Sequence, residues 1–372
     1  MFRPAIQRVE VLVVMAIISL IVFYTASSLT VETRQAAYEI KIAAAQRMAK
    51  AMQILKDSRG KSAVFMDDIN DPNETGLIGR QFTYITTDEG DLDAKISVLD
   101  PNVAAMMVDY LTRAGVSAGD KVAVTLTGSM PGGNLAVVCA LEEMGAVPHI
   151  LASVGASQWG ANNEDFTWLD MEKVLYDTSI ISFRSSAASM GGGSDIGRRL
   201  SPRGREYIQE TITRNEVDFI SSEDLADAVQ RRMDLFGAQG PIDEYAAFIN
   251  VGGGAAVLGD AAYARLIPPG LTERMQFESM RNGGVMAKFG REGVPVIHVL
   301  NIRTMFDQFD YPYAATPTPE LGVGTFYASE RYNPWTTALA LALLLGMVIT
   351  VGLNSKRKIK HHLEKYEPDS YV

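Results

Sequence analysis

Two long runs without a charged residue constrain this chain more than any other feature. Val11 to Val31 holds 21 uncharged positions behind Arg3 and Arg8, and Trp335 to Asn354 holds 20. A helix of about 20 residues crosses a hydrocarbon core of about 30 Å. The second run is flanked by Tyr332 and Trp335 on one side and by Lys356, Arg357, Lys358, Lys360, His361 and His362 on the other. Aromatic anchors and a basic stop of this kind mark a membrane boundary. Both runs are therefore expected to be transmembrane helices, and the basic flanks put both termini in the cytoplasm. The expected organisation is a cytoplasmic start (1–10), a span (11–31), an amphipathic helical stalk (32–60), an extracytoplasmic domain (61–334), a second span (335–354) and a basic tail (355–372). The first run has a second reading as a cleaved signal peptide, with Thr25-Ala26-Ser27-Ser28 as its small-residue exit.

Composition removes several functions. Asp and Glu outnumber Lys and Arg by 44 to 34, for a net charge of −10, which argues against nucleic acid as a partner. The single cysteine, Cys139, excludes an internal disulfide framework and a cysteine-based zinc site. Four histidines, two of them in the tail, supply a metal poorly, so no metal and no cofactor is expected. A hydrophobic share of 47% is that of a folded chain.

The middle of the chain reads as alternating strands and helices. From Glu32 to Asp57 there is no Gly or Pro, and Ala36, Ile40, Ala43, Ala44, Met48, Ala51, Met52 and Leu55 recur at helical spacing. This helix is expected to continue the first span as a stalk, with its apolar stripe packed on its own domain. Phe82–Thr86 is expected as a strand and Asn102–Ala114 as a helix. Lys121–Thr127, Asn134–Met144 and Pro148–Ser153 form a strand–helix–strand unit, which implies parallel pairing. Ile180–Ser182 then precedes a glycine loop and a helix ending at Arg214. Phe219-Ile220 precedes a helix from Ser222 to Leu235 capped by Ser221 or Ser222, and Ala246–Val251 and Val294–Leu300 are further strands. The fold expected is α/β, a doubly wound, mostly parallel sheet with glycine-rich loops after its strands.

Ligands of such sheets bind beyond the carboxyl ends of the strands. Three loops fit that position. Gly128 and Ser129 lie between a buried strand and a helix start, where Ser129 serves as a cap, an anion contact or a nucleophile. Gly191, Gly192 and Gly193 are followed by Asp195, Arg198, Arg199, Arg203 and Arg205, a basic cluster suited to carboxylate or phosphate, or a solvated helix start in which Asp195 neutralises one Arg. Asn250 to Gly254 is a glycine run without a dinucleotide or Walker pattern. A nucleophilic Ser129 needs a base, for which His149 and His298 are the histidine candidates. Each also reads as a buried strand residue, and a Ser–Lys or Ser–Asp arrangement stays open. Ser157, Trp159, Asn162, Trp168 and Asp170 gather two of the three tryptophans beside polar groups, as a ligand wall or a capped helix start.

The start VEVLVVMAII resembles a type IV pilin, with Glu10 as the fifth mature residue and cleavage after Ala5, though the residue before that cut should be Gly. A pilin-like structural subunit is one reading on that basis. A wider resemblance runs through Gly76-Leu77-Ile78-Gly79, Asp100-Pro101-Asn102, Thr127-Gly128-Ser129-x-Pro131, Ser153-x-Gly155-Ala156-Ser157-x-Trp159-Gly160-Ala161-Asn162, Phe166 to Glu172 and Asp195-x-Gly197-Arg198. This ordered set resembles the poly-γ-glutamate system proteins, membrane-anchored accessories of bacterial poly-γ-glutamate synthesis. The resemblance implies a place in the bacterial cytoplasmic membrane, the polymer synthase subunits as partners, and an anionic polymer as the ligand. It implies work beside the amide-ligase machinery that makes or exports the polymer, and it carries no catalytic residues; on the residues themselves the chain reads as a non-catalytic binder or scaffold or as a serine-dependent amidase or transferase.

Overall fold

The computed structural model describes residues 8–61, 69–259, 267–275 and 283–366. Arg3, the Ala5–Ile6 junction and residues 367–372 lie outside them. The chain divides into two compact units, one built from residues 1–34 and 328–372 and the other from Gln35–Tyr327.

In the first unit, α1 (Val9–Ser28) is followed by the strand β1 (Thr30–Arg34). Its partner segment is the strand Ala328–Tyr332, paired antiparallel from Thr30 opposite Tyr332 to Arg34 opposite Ala328. The helix Pro334–Tyr366 completes the unit and packs on α1. Both helices are long and apolar enough to cross a membrane, and none of their apolar windows is buried. The second runs on beyond Asn354 through the basic residues to Tyr366, because nothing from Ser355 to Lys365 breaks a helix.

The second unit opens with α2 (Tyr38–Lys61), whose Ala44, Ala45, Met48, Ala51 and Leu55 are fully buried. This helix does not continue α1 as a stalk. The chain leaves helical geometry at Leu29 and pairs β1 before α2 begins, and the alanine-rich stripe lies against two further helices. Those are α4 (Asn102–Arg113), which follows the short α3 (Leu92–Ser97), and α5 (Pro131–Met144). Between α4 and α5 runs the strand β2 (Lys121–Thr127), and α5 leads into β3 (Val147–Ser153), paired parallel to β2 along its whole length. A two-strand ribbon, β4 (Asn162–Asn163) and β5 (Phe166–Thr167), leads into α6 (Trp168–Asp177). Then follow β6 (Ala187–Ser189), α7 (Pro202–Arg214), β7 (Asp218–Phe219), α8 (Leu225–Gly237), β8 (Ala247–Val251) and α9 (Ala255–Leu258). The last elements are β9 (Gly270–Thr272), α10 (Val285–Arg291), β10 (Val296–Val299) and α11 (Ile302–Asp307).

The seven-stranded sheet has the order β7-β6-β3-β2-β8-β10-β9, parallel except for β9 against β10. Side chains alternate along each strand. Val122, Val124 and Leu126 enter one apolar cluster with α2, α4 and α5, while Ala123 enters another with α8, α9 and α10. Phe248 and Val296 repeat the second pattern, Ile249 and Ile297 the first. Helices thus cover both faces, as unbroken apolar strands require.

Three local expectations are corrected. Phe82–Thr86 is a turn with one bridge from Thr86 to Ala156, not a strand. Its backbone is held by side chains: Thr83 Oγ1 donates to Asn162 O at 2.6 Å, and Asn162 Nδ2 donates to Arg80 O at 2.6 Å. The strand before the second glycine loop is β6, not Ile180–Ser182, whose backbone instead closes α6 through Ile180 N–H to Leu175 O and meets Glu142 through Ser182 N–H. Helix α8 is capped by Asp224, which accepts from Asp227 N–H, rather than by Ser221 or Ser222.

Candidate functional site

The chain builds β2, β3, β6 and β7 outward in one direction and then returns to lay β8 on the other side of β2. Loops leaving β2 and β8 therefore diverge and open a crevice at the carboxyl ends of the strands. A cavity of about 610 Å³ lies there, bounded by Thr127 and Ser129, by Ser153, Gly155 and Ser157, by Gly192 to Ser194 with Arg198 and Arg199, by Gly252 to Ala255 and by Asn301 to Arg303. It falls within the roughly 300–1,000 Å³ of small-molecule sites. Residues from each of the three loops singled out in the sequence line it.

Its floor is stitched together tightly. Gly128 N–H donates to Ser153 O at 2.9 Å, and Ala161 N–H donates to Gly128 O at 2.7 Å. A Cβ on Gly160 would meet Gly128 O at 2.8 Å and Ser129 Cα at 2.9 Å, so only glycine lets the two loops approach this closely. Ser157 N–H donates to Ser129 Oγ at 3.0 Å, which orients both serines.

Into this floor α3 sends Lys95, only 4% exposed. Asp91 caps α3 by accepting from Ala94 N–H at 3.2 Å, which sets the helix and its fourth residue. Lys95 Nζ donates to Ser129 O and contacts Ser157 Oγ at 2.8 Å. Burial brings the Lys95 ammonium down to about 7, against the opposing pull of the Asp91 carboxylate. A buried amine near neutrality can take up or give a proton at a neighbouring serine hydroxyl. No family model matches this chain, and no curated protein or solved structure does.

The rim carries Arg198, Arg199 and Arg303 together with Asp88, Glu89 and Asp91. Arg198 and Arg199 are exposed, and Arg199 Nη1 stands 3.9 Å from Asp88. The Arg303 guanidinium lies 4.0 Å over the Tyr313 ring, which holds its fork in place.

The other sequence candidates, Ser157 excepted, do not line the cavity. Asp195 is buried in an ion pair with Arg232, accepts from Ser189 Oγ at 2.8 Å, and is not on the cavity wall; burial raises its carboxyl even against the Arg232 charge. This pair pins the Gly191–Gly193 loop to α8. Arg203 stacks over Tyr84 at 4.9 Å, and Arg205 Nη1 donates to Leu200 O at 2.8 Å. His149 Nδ1 is 2.8 Å from Tyr245 Oη, and His298 Nδ1 is 3.0 Å from Asn250 Nδ2. Neither histidine lines the cavity, and burial takes His298 down to about 4. Trp168 is a fully buried core residue, and Trp159 adopts a φ of 58° where its N–H meets Arg80 O. Asn162 fastens the 80–86 segment, and Asp170 caps α6 through Thr167 and pairs with Arg214 at 2.6 Å. Of this group only Ser157 lines the cavity.

Lys95 was not singled out in the sequence. Its one local signal is the run Asp91-Leu92-Asp93-Ala94-Lys95, an N-cap followed by a helix start. Nothing in that run says that the lysine is buried.

Proposed function

We propose that this chain is a membrane-anchored accessory of poly-γ-glutamate synthesis or export whose Gln35–Tyr327 unit binds the anionic polymer. The observation that carries this reading is the gathering of Arg198, Arg199 and Arg303 around one cavity, in a chain whose acidic residues outnumber basic ones by 44 to 34. Arginine forks suit carboxylates. Asp88, Glu89 and Asp91 share the rim and bring its charge close to balance. Such a rim suits a ligand whose carboxylates are spaced by neutral amides better than a dense polyanion, which it would partly repel.

In this reading α1 and the helix Pro334–Tyr366 are both membrane spans of the bacterial cytoplasmic membrane. Both termini are cytoplasmic, the cavity-bearing unit is extracytoplasmic, and synthase subunits are its neighbours. The sheet is read as doubly wound, with its ligand at the crevice between β2 and β8.

The test is calorimetric titration of the full chain in detergent with purified poly-γ-glutamate oligomers. Charge-assisted hydrogen bonds are worth about 1.5–3 kcal/mol each, so Arg198→Ala with Arg199→Ala should weaken binding at least about tenfold. Affinity should also fall as salt rises. Absence of binding, or equal affinity in the double variant, would sink the proposal.

A further inference from the structure

The cavity floor holds chemistry that polymer binding does not use. We propose that Ser157 is a nucleophile and Lys95 its general base, cleaving or transferring amide bonds of the carboxylate-bearing ligand bound in this cavity. The proposal rests on the binding reading above for its substrate class.

The geometry carries it. Lys95 Nζ and Ser157 Oγ are 2.8 Å apart, within reach of direct proton transfer. Both residues are at least nine-tenths buried, yet both line the cavity. Among the described residues Lys95 forms no ion pair: its hydrogen-bond partners are a carbonyl oxygen and a hydroxyl. Burial disfavours the ammonium against the opposing Asp91 charge, so the neutral amine is populated near pH 7, and a neutral Nζ accepts the Ser157 hydroxyl proton. Ser129 acts as a positioning residue, since its Oγ accepts from Ser157 N–H at 3.0 Å and its carbonyl accepts from Lys95. Gly253 and Gly254 line the same cavity, and their backbone N–H groups have no acceptor among the described residues. They are available to a developing oxyanion.

In the reaction, Ser157 Oγ bonds to the carbonyl carbon of the ligand amide while its proton moves to Lys95 Nζ. The carbon–nitrogen bond then breaks, and that proton leaves with the amine. The remaining ester between Ser157 and the acyl group is attacked by water or by the amine of a second chain. The attacking group gives a proton to Lys95, which returns it to Ser157 Oγ as the ester opens. Water as acceptor shortens the polymer, and an amine joins two pieces.

A fluorophosphonate probe tests this on the full chain in detergent, with the adduct located by peptide mass spectrometry. The expected result is a label on Ser157 that is lost in Ser157→Ala. Lys95→Arg keeps a cation but supplies no base at neutral pH, and should slow labelling by about 10²–10⁴-fold. Labelling of the wild type should also rise as pH increases through about 7, a readout independent of any variant's folding. An unlabelled wild type, a label on another serine, a folded Lys95→Arg that labels at the wild-type rate, or a rate flat from pH 6 to 8 would overturn the proposal. Polymer titration of Ser157→Ala separates the two readings. Retained binding with no wild-type label removes the catalytic step alone, whereas loss of wild-type binding removes the substrate class.

Discussion

Replacing Lys95 with Met should change how the stability of the chain depends on pH. The folded-state value of about 7 lies below the ordinary lysine value of 10.5. The folded chain therefore holds fewer protons than the unfolded chain between those two values, and stability rises as pH rises across that window. One unit corresponds to about 1.4 kcal/mol, so the buried amine costs the fold about 5 kcal/mol at full protonation. Raising the pH from 7 to 9 should return about 2 kcal/mol of it. Lys95→Met keeps the length of the side chain and removes the titration. The lost hydrogen bonds to Ser129 and Ser157 lower its stability by a similar amount at every pH, so the diagnostic is the slope. Urea unfolding of the full chain in detergent, followed by the emission of the fully buried Trp168, measures it. Wild type should gain about 2 kcal/mol more than the variant between pH 7 and 9. Parallel pH profiles would refute the claim that Lys95 is held near neutrality.

Gly160→Ala should press its Cβ against backbone at 2.8–2.9 Å from Gly128 O, Ser129 Cα and Ser129 O. The cost expected is about 1–3 kcal/mol, together with weaker polymer binding, read by urea unfolding and calorimetry. Asp195→Asn, which leaves Arg232 buried without its counter-charge, should destabilise by about 3–5 kcal/mol, and an unfolding midpoint equal to wild type would contradict the pinning role. Met48→Ala should cost about 2–5 kcal/mol if α2 is a core helix, against at most about 0.5 kcal/mol for a solvated stalk.

Periodicity made much of the fold legible. Helix α5 ends at Gly145, which adopts the left-handed φ of 65° expected of a glycine stop, and β2 and β3 pair parallel around it. Loop positions after strands also placed Ser129, Gly192, Gly193, Arg198 and Arg199 on one cavity. Neither histidine lies on the cavity wall. His149 and His298 sit within strands, where a neutral imidazole bonded to Tyr245 or Asn250 is satisfied in place.

The sequence by itself determined the two apolar helices, the alternation of strands and helices, and the loops from which a site had to be drawn. These follow from local hydrophobic patterning, which is written along the chain. Tertiary structure alone decided which polar groups meet. Lys95, Ser129 and Ser157 are separated by 34 and 28 residues along the chain, and no spacing rule links them. They come together because β2 and β3 are neighbours in the sheet, so the loops beyond their carboxyl ends fold over the same short helix. That closure buries Lys95, and burial gives an ordinary surface residue type its unusual chemistry. For α2 the packing of the alanine stripe on its own domain was legible in the sequence, and the tertiary structure decided only that α4 and α5 receive it.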